Sequence, residues 1–246
     1  KEGYEYTVAT EMYSAGIDRL THQPLSFSVS ETTEGVHIHI IDAELMGKGE
    51  KEKKDLYIEG VQNNGIINHY EYIINSEGTI EIRHVLKPEG KMPLWFPRIG
   101  LTLTVSDALD QVKWYGRGPQ ENYPDRKTGY PTGIYASTVQ AMYEPYLMPQ
   151  DYGLRTDVRW LQLTTDKGIG LQFKMNEWFN FNIYPYSTDN LTKAMYTYQL
   201  QKQKGMTLNL DYATTGVGCT ARGVFGAYKA MPQEYRRTIS IRPMMK

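Results

Sequence analysis

Two carboxylates four positions apart, Glu121 and Asp125, stand in the densest polar stretch of the chain, GRGPQENYPDR from Gly116 to Arg126. A glycosidase needs two carboxyl groups roughly 5 to 9.5 Å apart, one to protonate the leaving oxygen and one to attack or to activate water. Glu121 and Asp125 can meet that separation in many loop geometries. They can also accept hydrogen bonds from backbone N–H groups or pair with Arg117 and Arg126. Asn122 and Asp125 flank Pro124, as turn-forming residues do. On spacing alone, a turn held by ion pairs is the simpler reading.

The histidines come next. All five precede residue 85. A hairpin around Asn75–Gly78 that pairs Ile74 with Thr79 would set His69 opposite His84, about 5 Å apart at Cβ and close enough to share a metal. His37 and His39 share one strand face. Neither pair shows a further ligand at a recognisable spacing, so no metal site is assigned. Cys219 is the one cysteine, which excludes an intrachain disulfide and any Cys-based zinc cluster. Arg222 lies near it but no histidine does, so it is read as an unremarkable thiol. Nucleophile-elbow, P-loop and H-E-x-x-H patterns do not occur.

The elements that must position these groups are strands. Apolar residues alternate with polar ones at Leu25-Phe27-Val29, Val36-Ile38-Ile40, Leu101-Leu103-Val105, Ile169-Leu171-Phe173-Met175 and Phe179-Phe181-Ile183. The same beat returns at Tyr196-Tyr198-Leu200, Met206-Leu208-Leu210 and Ile239-Ile241. Period-2 alternation predicts antiparallel strands, each with one buried and one wet face. Turn signals separate them at Asn63-Asn64-Gly65, Asn75–Gly78, Asp166-Lys167-Gly168 and Lys204-Gly205. Two helical candidates stand out, Thr7 to Leu20 and a short turn starting at Ser187, which can cap it. Five prolines between Trp114 and Gly153 predict a long ordered excursion rather than central strands. Trp114, Tyr115, Tyr123, Tyr130, Tyr135, Tyr143 and Tyr146 crowd it, suited to packing loops on a sheet or to stacking on sugar. Lys48 to Asp55 is a charge run, read as a solvated loop. No repeat and no linker appears, so one all-β domain is expected.

The chain has 246 residues and a net charge of -1, with 40% hydrophobic residues and 20 tyrosines. No electrostatic footprint for nucleic acid or for an anionic membrane appears. No stretch approaches the roughly 20 apolar residues of a spanning helix. No signal peptide is visible at Lys1 and there is no initiator methionine, which fits either a processed form or an excised piece of something longer. The compartment stays open between bacterial cytoplasm and periplasm.

Four strings appear in order: FPRIGLTLTV, VKWYGRGPQENYPDR, YEPYLMPQDYGLR and TLNLDYATTGVG. Together they resemble the C-terminal small-chain domain of family 2 β-galactosidases, from about Met12-Tyr13-Ser14-Ala15-Gly16 to the end. The motif W-x-G-x-G-P-x-E-x-Y-x-D-R is matched by Trp114, Gly116, Gly118, Pro119, Glu121, Tyr123, Asp125 and Arg126. The resemblance implies a large antiparallel supersandwich like that of galactose mutarotases, with few short helices. It also implies that both catalytic glutamates and the catalytic magnesium sit on a (β/α)₈ barrel upstream, so this domain needs no cofactor of its own. The barrel and other parent domains become its partners, with carbohydrate at the rim, and a homo-oligomeric parent is allowed.

In the family, a tryptophan in GIGGDDSW stacks on sugar, and a RAP-x-D-N-D segment marks this domain's N-terminal edge. The second motif is absent here. The first is replaced by GVGCTARG, Gly216 to Gly223, with Gly223 at the tryptophan position. Arg222, Gly223 and Phe225 are therefore the candidate rim residues, and the departure leaves the parent's glycoside open. A non-catalytic domain of a retaining β-galactosidase is the expectation. The alternatives are a self-standing carbohydrate-binding module and, less favoured, a mutarotase-like epimerase, which would need a histidine and a carboxylate at the anomeric centre.

Overall fold

A computed structural model describes residues 17, 20–46, 64–218 and 223–245. Eleven strands and little helix appear among them. The chain divides into two compact units. One holds Pro97–Lys229 and the residues from Ile241 onward; the other holds the residues up to Phe96 together with Ala230–Ser240.

The unit that reaches Phe96 contains β1 (Thr21–Thr32), β2 (Gly35–Leu45), β3 (Gly65–Ile74) and β4 (Ile80–Glu89), paired antiparallel in that order. Ile82, His84 and Leu86 alternate inward on β4 and are buried, as the period-2 pattern requires. β1 departs from expectation. It is a strand, but Leu25, Phe27 and Val29 are exposed. It stands at the end of the strand order, next to β2, and its apolar stripe is open among the described residues.

The hairpin register also needs correction. Asn75 Oδ1 accepts the backbone N–H groups of Glu77 and Thr79 at 3.0 Å each. That draws Thr79 into the turn, so Ile74 pairs with Ile80. His84 then faces Tyr70, and His69 faces Val85. The predicted His69–His84 pair is not formed.

The other unit orders its strands β5 (Arg98–Val105), β10 (Met206–Thr214), β9 (Gly170–Tyr184), β8 (Arg155–Thr164), β6 (Gln111–Arg117) and β7 (Thr132–Thr138), all antiparallel. β11 (Tyr235–Met244) is divided between the units. Trp114, Leu161, Phe181, Leu208 and Leu210 are fully buried and form part of the core. Each such side chain contributes about 1.5–3 kcal/mol by leaving water. β10 is buried on both faces, not one: Thr207, Asn209 and Asp211 lie inside with the leucines. Lying between β5 and β9, it must satisfy those polar groups internally.

The proline-rich middle is only partly an excursion. It includes the end of β6, which is flanked by β7 and β8, and it includes β7 itself. Pro119, Pro124 and Pro131 fall between these strands, where no ladder N–H is needed. The helix capped by Ser187 forms as expected: α1 (Thr188–Lys193) begins where Ser187 Oγ accepts the Asn190 N–H at 3.0 Å. Tyr196–Leu200 is not a strand. Gln199 Oε1 accepts the N–H groups of Met195 and Tyr196 and closes a 3₁₀ turn over Thr197–Gln199. The candidate helix before Leu20, the Lys48–Asp55 run, Cys219 and Arg222 lie outside the described residues, Ile17 and Leu20 apart.

Candidate functional site

The motif loop leaves β6 and turns back on itself. Trp114 is fully buried and donates Nε1–H to the Arg117 carbonyl at 2.9 Å. Its ring meets Tyr135 at 5.5 Å and carries the Arg155 guanidinium at 5.4 Å. Burial pushes Arg155 down to about 10. Gly116 lies buried in β6, and the Gly118–Pro119 peptide is cis. A Cβ at Gly118 would sit 2.8 Å from the Tyr135 ring, so the packing of this corner requires glycine.

Glu121 is buried, and both of its oxygens are engaged. Oε1 accepts from Arg126 Nη2 at 2.9 Å and from the Tyr146 hydroxyl. Oε2 accepts from the Gly153 N–H at 2.9 Å and the Tyr123 hydroxyl at 3.3 Å. Burial, followed by this hydrogen bond, pushes Tyr146 up to about 12. Burial and then the Glu121 charge raise Tyr123 as well. Asp125 does something different. Its carboxylate accepts the N–H groups of Val217 at 3.0 Å and Gly218 at 2.6 Å. Gly216 touches the same carboxylate: a Cβ there would lie 2.3 Å from Asp125 Cγ. The motif thus fastens the 216–218 loop, the start of the stretch where the rim aromatic was expected.

Arg126 pairs as expected, and Arg117 does not. Arg117 Nε donates to Asp157 Oδ2 at 2.5 Å, and its Nη1 donates to the carbonyls of Lys127 and Tyr130 at 3.0 and 2.9 Å. Asp157 adopts a positive φ of 54°, and Lys127 Nζ also binds it, at 2.8 Å. Burial opposes ionisation of Asp157, but Lys127 and Arg117 outweigh it and hold the carboxyl low.

Tyr123, Arg126, Tyr146 and Val217 line a cleft of ≈ 560 Å³ together with Arg98 and Asp151. These last two carry a polar network that residue spacing did not reveal. Arg98 donates to Asp211 Oδ2 from Nε at 3.2 Å and from Nη2 at 2.8 Å, and to Asp151 Oδ1 from Nη1 at 3.3 Å. Asn182 and Tyr184 donate to the same Asp151 oxygen at 2.9 and 3.1 Å. Asn209 joins Asn182 to Tyr184 at 2.8 and 3.0 Å. Burial raises Asp211 and would lower Arg98, but Asp211 and Asp151 keep Arg98 firmly protonated. The result is a fixed fork of donors and acceptors at the cleft wall, with Asp211 buried and Asp151 partly exposed. Such a wall, next to tyrosine rings, is equipped to bind hydroxyl groups.

The signal for these residues was in the strings FPRIG, PQDYG and NLDYATTG. Arg98, Asp151 and Asp211 are the charged positions in them, but they are far apart in sequence.

Among known proteins, the family described as beta galactosidase small chain matches residues 9–241. The chain belongs to the β-galactosidase small-chain family. Relatives named beta-galactosidase include one from Priestia megaterium, 38% identical over 147 residues, which are 60% of this chain and 14% of that protein. Another, from Vibrio cholerae, is 31% identical over 207 residues, or 84% of this chain and 18% of that protein. The chain therefore spans a small fraction of the length of these curated relatives. An aldose epimerase homologue from C. elegans aligns over 89% of this chain and 69% of its own, with 13% identity and a TM-score of 0.41.

Of the small-chain rim candidates, Gly223 adopts a φ of +62° with open space at its Cβ position, and Phe225 is largely exposed. Gly218 and Gly223 approach closely: a Cβ at Gly218 would lie 2.7 Å from the Gly223 backbone. Arg222 falls outside the described residues.

Proposed function

We propose that this chain is a non-catalytic domain of a retaining family 2 glycoside hydrolase of the β-galactosidase type, lying C-terminal to a catalytic barrel. The family match over residues 9–241 carries the β-galactosidase part of this reading, and the observation that carries its non-catalytic part is the saturation of Glu121. Four donors occupy its two oxygens, leaving no position from which it could exchange a proton with substrate. Asp125 is likewise spent on loop amides. We count residues 1–246 as one domain of that parent, since the family match over residues 9–241 runs through both compact units.

The nucleophile, the acid/base group and the magnesium then belong to the barrel of the parent, and this domain binds and orients. Arg98 and Asp151 present hydrogen-bonding groups to the cleft, Asp125 sets the 216–218 loop, and Phe225 is the exposed aromatic of the rim. The test is hydrolysis of a nitrophenyl β-galactoside by the isolated chain. No turnover is expected. Turnover that disappears on Glu121→Gln would overturn the assignment.

A second reading, a self-standing carbohydrate-binding module, draws on Tyr196 and Tyr198. Their rings are exposed and stacked nearly parallel, 5.5 Å apart. Calorimetry against galactose, lactose and pectic or arabinogalactan oligosaccharides separates the two. Binding lost in Tyr198→Ala favours the module; silence across the panel favours a domain that works only within its parent.

A further inference from the structure

The face of β2 and β3 carries a constellation that the cleft does not use. β2 reads Val36-His37-Ile38-His39-Ile40, so the two histidines project to one side. The β2–β3 register sets His39 opposite Glu71, and the β3–β4 register sets Glu71 opposite Arg83. Directly opposed side chains share a face. His37 Nδ1 lies 3.2 Å and His39 Nε2 3.9 Å from Glu71 Oε1. One ligand atom from each of the three residues falls within 4.8 Å of the others. The third ligand comes from a neighbouring strand, which linear spacing could not show.

We propose that His37, His39 and Glu71 form a binding site for a divalent transition-metal ion of the zinc class. Around a tetrahedral zinc with bonds of about 2.0–2.1 Å, ligand atoms stand about 3.3 Å apart. The His37–Glu71 separation already matches, and closing the rest takes side-chain rotation of order 1 Å at the exposed His39. Surrounding contacts orient the ligands. Arg83 donates to the other carboxylate oxygen, Oε2, at 3.1 Å, which directs Oε1 to the histidines. Glu81 accepts from Arg83 Nε at 2.8 Å and offsets part of its charge. His37 Nε2 lies 3.0 Å from Thr32 Oγ1. With the ring proton on Nε2 donated to Thr32, the Nδ1 lone pair points to the metal. Two imidazoles select zinc, nickel or copper over magnesium or calcium. Exposure of His39 leaves a coordination position to water. With a single carboxylate and Arg83 close by, the affinity is moderate, and the bound ion staples β2 to β3.

Calorimetry with zinc chloride on the full chain, first stripped with chelator, tests this. One equivalent is expected, with no heat from magnesium chloride. His39→Ala and Glu71→Gln should each weaken binding at least tenfold. His22→Ala, whose ring faces Asp42 and Glu44 instead, should leave it unchanged. On the wild-type chain, ¹H–¹⁵N spectra of the imidazoles should shift at His37 and His39 on adding zinc, whatever the folding of the variants. Absence of zinc binding would reduce the cluster to an ordinary His–Glu hydrogen bond and overturn the proposal. So would zinc binding indifferent to both substitutions, or zinc shifts confined to other histidines.

Discussion

The motif loop at Gly116–Arg126 and the histidine-bearing strands β2 to β4 are both rich in groups that do chemistry, yet they use them oppositely. In the loop every conspicuous carboxylate is consumed. Glu121 holds Arg126, two tyrosines and a backbone amide, and Asp125 holds the amides of Val217 and Gly218. Across the β2–β4 sheet the histidines divide by face. His84 is buried against Tyr70 and donates Nε2–H to Asn68 Oδ1 at 3.0 Å, while His39 stands half in water beside Glu71. Residue type does not separate a structural group from an available one. What separates them is how many partners the fold has already supplied.

The largest effect is expected at Glu121. Glu121→Ala leaves two tyrosine hydroxyls, the Gly153 N–H and Arg126 without their acceptor. A loss of about 3–5 kcal/mol is expected in urea unfolding. A loss below about 1 kcal/mol would mean that the carboxylate is available for other work.

His84 comes next. Burial, with the nearby His69 charge, pushes its pKa down to about 4, against about 6.5 in the unfolded chain. The unfolded state thus takes up the proton first. The stability contributed by neutral His84 is complete above pH 6.5 and is lost as pH falls from about 6.5 toward 4. The total is about 3 kcal/mol at 1.36 kcal/mol per pK unit. Urea midpoints across that range should lose this slope in His84→Gln.

Gly216→Ala sets a methyl group against the Asp125 carboxylate and should displace it from the loop amides. About 1–3 kcal/mol is expected by thermal unfolding, with faster amide exchange at Val217 and Gly218. Smallest of all is Phe225→Ala. The side chain is 75% exposed, so stability should move by less than about 0.5 kcal/mol. A larger change would show that Phe225 is packed rather than presented at the rim.

Much of the fold was legible. The alternation located strands in both units, and Ser187 announced α1 because a capping hydroxyl is a local device. Errors arose where local pattern met non-local constraint. Leu25, Phe27 and Val29 alternate correctly for a strand, but alternation cannot say whether anything covers the face. The hairpin after Ile74 slipped because Asn75 takes two amides into its side chain and lengthens the turn, which shifts every later pair by one. Tyr196–Leu200 has strand rhythm, but Gln199 captures two amides and curls it. Arg117 was expected to pair within its own loop and instead reaches Asp157, forty residues on.

The all-β character, the motif and the family are legible in the amino-acid order, since these rest on short-range periodicity and on residues adjacent in the chain. The partners of the polar groups follow from the fold. Arg98 meets Asp211 across more than a hundred residues, Asp125 meets Val217 across more than ninety, and Glu71 meets His37 across a strand pair. Hydrogen bonds of about 3 Å are blind to sequence separation, so their assignment had to wait for strand order and register.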